Sequence, residues 1–314
     1  MYSHWMRTGT LSGFVVEKQA AQLMEKIIGA VDFSLPELSM KWEEDGVVKF
    51  LLKMDGLESE SVIIPMQGRS TLCVSSQIGC KMGCAFCETG KMGLRKQLSA
   101  AEIVAQVFYA LHFFKVRVQN IVFMGMGEPM DNWENVKQAI QILTDPGGFG
   151  FGFSRITVST SGDVEGIYRL MEEMDPALNL AISLNASQDP IRGRIMPVNK
   201  SWNMEKLKKA MLDYCSNPRR KIFIEYVLLQ GINDGLNHAE EVAEYLQDLR
   251  VKINLIPYNP QRRGPFMPPS NEVIDQFKNH LRAKGYPVTV RQTKGQKIKA
   301  ACGQLGNRIP MVKF

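Results

Sequence analysis

The sequence predicts an α/β protein: a partial, TIM-like (βα)6 barrel carrying a small α+β extension at its amino end. Two observations carry that reading. Apolar, β-branched segments alternate six times with amphipathic segments of helical period through the middle of the chain. Strands joined by helices in series imply a mostly parallel sheet, because parallel neighbours need a crossover connection. The first seventy residues break this rhythm. An open doubly wound sheet is the competing arrangement of the same elements.

Taken in order, residues 15–28 read as one helix. Residues 41–54 and 61–65 read as a short antiparallel piece, with Glu43-Glu44-Asp45-Gly46 and Asp55-Gly56 as turn signals. Strands follow at 71–74, 120–124, 156–160, 178–184, 221–229 and 252–258. Helices are expected at 100–114, 133–143, 164–173, 204–214, 239–249 and 271–284. Ser99-Ala-Ala-Glu102 has the form of a capping box. There are two long loops, 145–152 and 261–269, and loops of that length on the site side of a barrel are more often functional than accidental. The expected division is 1–70 as an accessory region, 71–291 as the barrel and 292–314 as a basic carboxyl segment.

Composition narrows the class. With 45% hydrophobic and 22% charged residues among 314, the chain has the balance of a globular protein. No apolar run reaches about 18 residues, and Met1 to Gly13 has no signal-peptide pattern. A cytoplasmic protein without membrane contact is therefore expected. Net charge is +6, and residues 281–314 hold eight Lys or Arg and no acid. Such a one-signed stretch suits a polyanion such as nucleic acid, or simply a soluble tail.

Cys80-Lys-Met-Gly-Cys84-Ala-Phe-Cys87 is the strongest local signal. Three thiols in one short loop after a strand can face a single centre, and thiolates favour zinc or iron–sulfur clusters. A structural zinc wants a fourth ligand. Cys73 is the nearest sulfur, and the four histidines are scattered. Three cysteines on a [4Fe–4S] cluster leave one iron open to a small molecule. The spacing, with aromatic Phe86 before the third cysteine, resembles the radical S-adenosylmethionine (SAM) superfamily. There the open iron is chelated by the amino and carboxylate groups of SAM.

Further turns fit that resemblance. Met124-Gly-Met-Gly127-Glu128-Pro129 fails as a dinucleotide fingerprint, since Met130 stands at the third glycine position. It is similar to the superfamily segment that binds the methionine amine of SAM, with Glu128 as acceptor. Ser159-Thr-Ser-Gly162, Ser183-Leu184-Asn185 and Asn259 end later strands and suggest the lining of one polar pocket. Cys302 lies near Arg291, Lys297 and Lys299 in sequence, surroundings that favour a thiolate.

From about Trp42 to Arg308 the chain resembles the RlmN/Cfr group of radical SAM RNA methyltransferases. The matching pieces are Thr71-Leu-Cys73-Val-Ser-Ser-Gln-Ile-Gly-Cys80, Gly125-Met-Gly-Glu-Pro129, Ser159-Thr-Ser-Gly162, Ser183-Leu-Asn185, Pro197-Val-Asn199 and Ala301-Cys-Gly-Gln-Leu305. The resemblance implies one [4Fe–4S] cluster on Cys80, Cys84 and Cys87, and two SAM molecules per turnover. One SAM methylates Cys302. The second, bound through Gly127, Glu128, Ser159, Ser183, Leu184, Asn185 and Asn259, yields a 5′-deoxyadenosyl radical that takes hydrogen from the S-methyl group. The resulting methylene radical adds to an adenine carbon. Glu60 then removes the ring proton, and Cys73 resolves the adduct through a transient disulfide with Cys302.

The implied substrate is C2 of an adenine in 23S rRNA, with tRNA as a further substrate. An electron donor such as flavodoxin or ferredoxin is implied as a partner. C8 methylation of the Cfr type is the near alternative, and a zinc-stabilised RNA-binding protein the distant one. Two features depart from the family pattern: Asn185 where histidine is usual, and a short region before Lys41. Cys215 matches nothing and reads as structural.

Overall fold

The computed structural model describes residues 1–14, 21–261 and 264–306. Residues 15–20 of the expected first helix lie outside that set, as do Arg308 and Lys313 of the basic tail. Within it, a helix not foreseen from sequence, α1 (Tyr2–Thr8), precedes α2 (Ala21–Ala30). Trp5 of α1 stacks on Phe108 at 5.3 Å and meets the edge of Phe33 at 5.1 Å.

The antiparallel piece is larger than expected. β1 (Glu37–Glu44), β2 (Val47–Met54) and β3 (Leu57–Met66) form a meander, so the strand expected at 61–65 spans ten residues. Both turn signals hold. Asp45 and Gly46 have φ of 49° and 76°, and Asp55 and Gly56 have 51° and 76°. Two successive left-handed residues are what a tight hairpin with right-handed strand twist requires. β3 then pairs antiparallel with β4 (Arg69–Cys73), which itself starts the parallel run. The amino-terminal strands are thus hydrogen-bonded into the main sheet.

A two-stranded ribbon follows, β5 (Gln77–Cys80) with β6 (Gly93–Gln97), enclosing the cysteine loop and a short α3 (Glu88–Lys91). α4 (Ala100–Phe108) opens with the expected capping box and passes into a π-turn, Tyr109–Phe113. The alternation then proceeds through β7 (Val118–Phe123), α5 (Trp133–Thr144), β8 (Ile156–Thr160), α6 (Val164–Glu173), β9 (Asn179–Ser183), α7 (Asp189–Ile195) and α8 (Met204–Cys215). It ends with β10 (Ile222–Leu228), α9 (Leu236–Tyr245), β11 (Val251–Pro257), α10 (Asn271–Ala283) and β12 (Val288–Val290). α9 starts three residues before the expected 239, directly after Gly235 at its N-cap.

All but β5 and β6 lie in one ten-stranded sheet of order β1-β2-β3-β4-β7-β8-β9-β10-β11-β12. From β4 onward the neighbours are parallel. The middle of β9 is buried on both faces, whereas β8 alternates buried with half-buried residues. The six expected strand positions are β4 and β7–β11, whose carboxyl ends share one edge.

Candidate active site

That edge opens onto a cavity of about 170 Å³. Its wall contains Cys80, Cys84, Cys87, Gly127, Glu128, Ser159, Ser183, Asn185, Asn259 and Cys302, which come from six separate stretches of the chain. Glu60, Cys73 and Leu184 are not part of that wall. Leu184 is fully buried behind it; its amide donates to the Glu225 carbonyl at 3.0 Å.

The cysteine loop is held by its own backbone. The Cys87 amide donates to Cys84 O at 3.1 Å, and Ala85 N to Ile195 O at 2.9 Å. Burial pushes the Cys80 thiol up to about 12 and raises Cys84 and Cys87, with Cys87 and Cys80 adding to the rise at Cys84. Buried thiols this close keep their protons until a soft cation replaces them. Among the described residues no three His, Cys, Asp or Glu side chains form a group for a single metal ion. A cluster needs none, because each of its cysteines binds a different iron.

Glu128 sits on the turn after β7. Gly127 has φ of 106°, and a Cβ there would lie 2.6 Å from the Gln77 side chain, so the close approach requires glycine. Gln77 Oε1 accepts from Glu128 N at 2.8 Å. The Glu128 carboxylate accepts from Ser161 N at 2.7 Å and Met130 N at 3.3 Å. Burial nonetheless raises it to about 7, because these donors carry no full charge. An ammonium group in the cavity would supply that charge.

Three further polar atoms support a polar ligand. Ser161 Oγ, Glu225 Oε2 and Tyr258 Oη are buried on residues of this wall and have no hydrogen-bond partner among the described residues. Buried polar atoms are normally paired, so these three mark where a ligand's donors and acceptors belong. The residues present therefore fit a cluster with SAM beside it.

Asn185 is tied into the strand ends by its own side chain. It has φ of 57°, its Oδ1 accepts from Val227 N at 2.7 Å, and its Nδ2 points to Met196 Sδ at 3.3 Å. The carbonyl oxygen is thus committed to joining β9 to β10, which leaves the amide hydrogens for a ligand.

Arg192 is the residue that sequence reasoning missed. It is wholly buried on α7. Nε donates to Leu184 O at 3.0 Å, Nη1 to Asn199 Oδ1 at 2.9 Å, and Nη2 to Ser161 O at 2.5 Å and Ser183 O at 3.2 Å. One guanidinium thereby stitches the ends of β8 and β9 to the Pro197-Val-Asn199 turn. The signal available was a Pro-Val-Asn turn seven residues downstream of an arginine.

On the opposite side, residues 292–306 fold back over the cysteine loop. Cys302 is exposed to the cavity mouth, and Asn259 Nδ2 donates to its carbonyl at 3.1 Å. Glu88 N donates to Gly303 O at 2.9 Å, and Thr89 Oγ1 to Leu305 O at 2.7 Å. Of the cations near Cys302 in sequence, Arg291 is brought against it. Burial alone would lower Arg291, but Glu225 at 3.0 Å, then Cys302 and Cys73, hold it above its usual value. Cys73 is buried on β4, where burial and then the Cys302 charge push its thiol up to about 12. Both cysteines are free thiols here.

Glu60 is no surface glutamate, despite its polar neighbours in sequence. It is buried in the middle of β3, with Lys49 Nζ of β2 at 2.7 Å. Burial raises its carboxyl, and Lys49, followed by the nearby Gly306 backbone, offsets part of the rise.

The Radical SAM superfamily profile matches residues 74–254. Fold and site together define a radical SAM enzyme. A protein of Protochlamydia amoebophila named probable dual-specificity RNA methyltransferase RlmN 1 is 50% identical over 309 residues, covering 98% of this chain and 86% of its own length. The dual-specificity RNA methyltransferase RlmN of Francisella tularensis subsp. mediasiatica is 42% identical, over 91% of this chain and 80% of its own. The crystal structure of a radical SAM methyltransferase from Sphaerobacter thermophilus superposes with a TM-score of 0.88 at 39% identity, covering 96% and 90% of the two chains. The chain belongs to the RlmN family of radical SAM RNA methyltransferases, and it carries that family's [4Fe–4S] cluster and SAM chemistry. The alternative of a zinc-stabilised binding module is not favoured. No helix among the described residues is long and apolar enough to cross a membrane.

Proposed function

We propose that this enzyme methylates C2 of an adenine in 23S rRNA and in tRNA, through a methyl group first carried on Cys302. The carrying observation is convergence: the Cys80–Cys87 loop, Glu128 and Cys302 share one cavity although 222 residues separate Cys80 from Cys302. The dual specificity named for the relatives supports two RNA substrates. When bound, the cluster and SAM supply one-electron cleavage of SAM to a 5′-deoxyadenosyl radical.

The chain's own residues do the rest. Cys80, Cys84 and Cys87 hold the cluster, while Glu128 receives the SAM ammonium and Gly127 keeps the backbone close. Ser159, Ser183, Asn185 and Asn259 offer polar atoms to the rest of SAM, and Leu184 sets the backbone between two of them. Cys302, beside the Arg291 cation, presents its sulfur to accept the methyl group. Glu60 takes the ring proton; Cys73 then attacks Cys302 Sγ, so that the Cys73–Cys302 disulfide forms as the Cys302 S–CH2 bond breaks, and that bond's electron pair with a proton completes the product methyl group. Two SAM molecules are consumed per methyl delivered, one for each role. Residues 1–70 and 292–314 act as accessory and covering regions around the 71–291 barrel. The enzyme works in the cytoplasm, with a flavodoxin or ferredoxin as electron donor.

The test is anaerobic reconstitution with labelled SAM and ribosomal RNA lacking the modification, followed by mass spectrometry and NMR of the digested nucleosides. 2-Methyladenosine is expected. 8-Methyladenosine would overturn the assignment of the carbon.

A further inference from the structure

The Lys49–Glu60 pair does more than hold a carboxylate. Lys49 is 1% exposed, and its ammonium reaches two acceptors, Glu60 Oε2 at 2.7 Å and the backbone carbonyl of Lys299 at 3.1 Å. Lys299 lies three residues before Cys302 and has φ of 51°, a left-handed conformation that a non-glycine residue holds only when its surroundings enforce it. On the other side of Cys302, the Gly306 backbone faces the Glu60 carboxyl and helps to lower it. Gly306 has φ of 92°, a conformation that favours glycine. One buried ion pair therefore grips the Cys302 loop at its Lys299 shoulder and faces it at the other.

We propose that Lys49 is a positioning residue that makes the placement of Cys302 depend on the charge of Glu60. With Glu60 ionised, its charge orients the ammonium, and the ammonium fixes the Lys299 carbonyl. A proton on Glu60 removes the charge that Lys49 answers, so the ammonium's hold on the Lys299 carbonyl weakens and the loop loosens. The other tethers do not respond to that proton. Glu44 accepts from Lys297 N at 3.0 Å at the margin of the sheet, and Thr89 and Asn259 bind the loop through neutral groups. Glu58 is the one other charge that bears on Glu60. In turnover, which rests on the reading of Glu60 as the base, uptake of the ring proton frees Cys302 at the stage when Cys73 must reach it.

Hydrogen–deuterium exchange of the reconstituted full-length protein, without RNA, tests the device. Glu60→Gln, Lys49→Met and the double variant are compared with the parent. The double variant buries no unpaired charge, so β2 and β3 keep their fold. Amides of residues 297–306 are expected to exchange at least about tenfold faster in all three, as befits the loss of a charge-assisted hydrogen bond. Amides of β2 and β3 keep the parent's rate, and the second substitution adds little to the first. Parental exchange at 297–306 in Glu60→Gln and in the double variant overturns the proposal. So does loosening spread evenly over β1–β3. Parental RNA methylation by Glu60→Gln, with fast exchange at 297–306, would remove Glu60 as the base and leave the latch standing.

Discussion

The two sides of the cavity are built by different means. On the cluster side, the functional groups of the Cys80–Cys87 loop and of the Glu128 turn lie within two short stretches, turned by glycines and tied to the frame by hydrogen bonds such as Ala85 N to Ile195 O and Glu128 N to Gln77 Oε1. On the facing side, Cys302, Cys73, Arg291 and Glu60 come from three distant stretches, held by charge and by hydrogen bonds spanning up to 250 residues in sequence. The near side therefore rests on local chemistry, and the far side exists only once the sheet has closed over it. A group on the near side should fail in binding, and one on the far side in the order of chemical events.

The largest expected effect falls on the far side. Cys302→Ala should reduce protein-bound methyl, read by intact-protein mass spectrometry after incubation with SAM, to background. Cys73→Ala should still accept the methyl group and then stall, with a covalent protein–RNA species on a denaturing gel. Parental turnover by Cys73→Ala would remove the distinction between a methyl carrier and a resolving thiol. Neither variant should alter the iron content of the near side.

On the near side, Glu128 gives a pH effect of definite sign. Burial raises its carboxyl to about 7, so the empty site is increasingly neutral below that pH, whereas an ammonium ligand needs the carboxylate. SAM affinity should thus fall as pH drops through 7, approaching about tenfold per pH unit well below it. Glu128→Gln should bind weakly with a flat pH profile. Titration of the reconstituted protein with SAM checks both. A parent with equal affinity at roughly pH 6 and 8 would break the assignment.

These contrasts also explain what could be read in advance. The cysteine loop and the Glu128 turn were legible because their chemistry is written in consecutive residues. The strand–helix alternation was legible because period and length suffice for it. Glu60 has polar neighbours in sequence, Glu58 and Ser59, which say nothing of its burial; it is buried because β2, β4 and the Cys302 segment close around β3. Lys49 reads as an ordinary alternating strand residue until Glu60 is placed beside it. Leu184 came along with its neighbours, yet it faces away from the cavity. Arg192 was invisible because its four acceptors lie on three separate segments, and three of the four are backbone carbonyls.

Arg192 sits beneath both sides and supplies an intermediate effect. Arg192→Met would leave the carbonyls of Leu184, Ser183 and Ser161 and the Asn199 side chain without their donor. Unpaired buried acceptors at this density should cost about 3 kcal/mol, lowering Tm by roughly 5–10 °C in a chain of this size. Arg192→Lys should recover only part of that, because one ammonium cannot span acceptors that a planar guanidinium reaches from three nitrogens. Calorimetry on the two variants decides; equal melting of Lys and Arg forms would mean that charge, not geometry, joins these strand ends.

The smallest effect belongs to the one cysteine outside both sides. Cys215 ends α8, buried among core residues, and its thiol is raised by that burial. It borders no part of the cavity wall, and its carbonyl, not its sulfur, accepts the Arg250 hydrogen bond at 2.8 Å. A substitution there removes one sulfur's packing and no polar partner. Cys215→Ala should therefore cost about 1 kcal/mol or less and shift Tm by no more than about 3 °C, with methyl loading of Cys302 unchanged. Loss of loading in this variant would show that the core beneath α8 transmits to the cavity, and the separation between local and long-range construction would no longer hold.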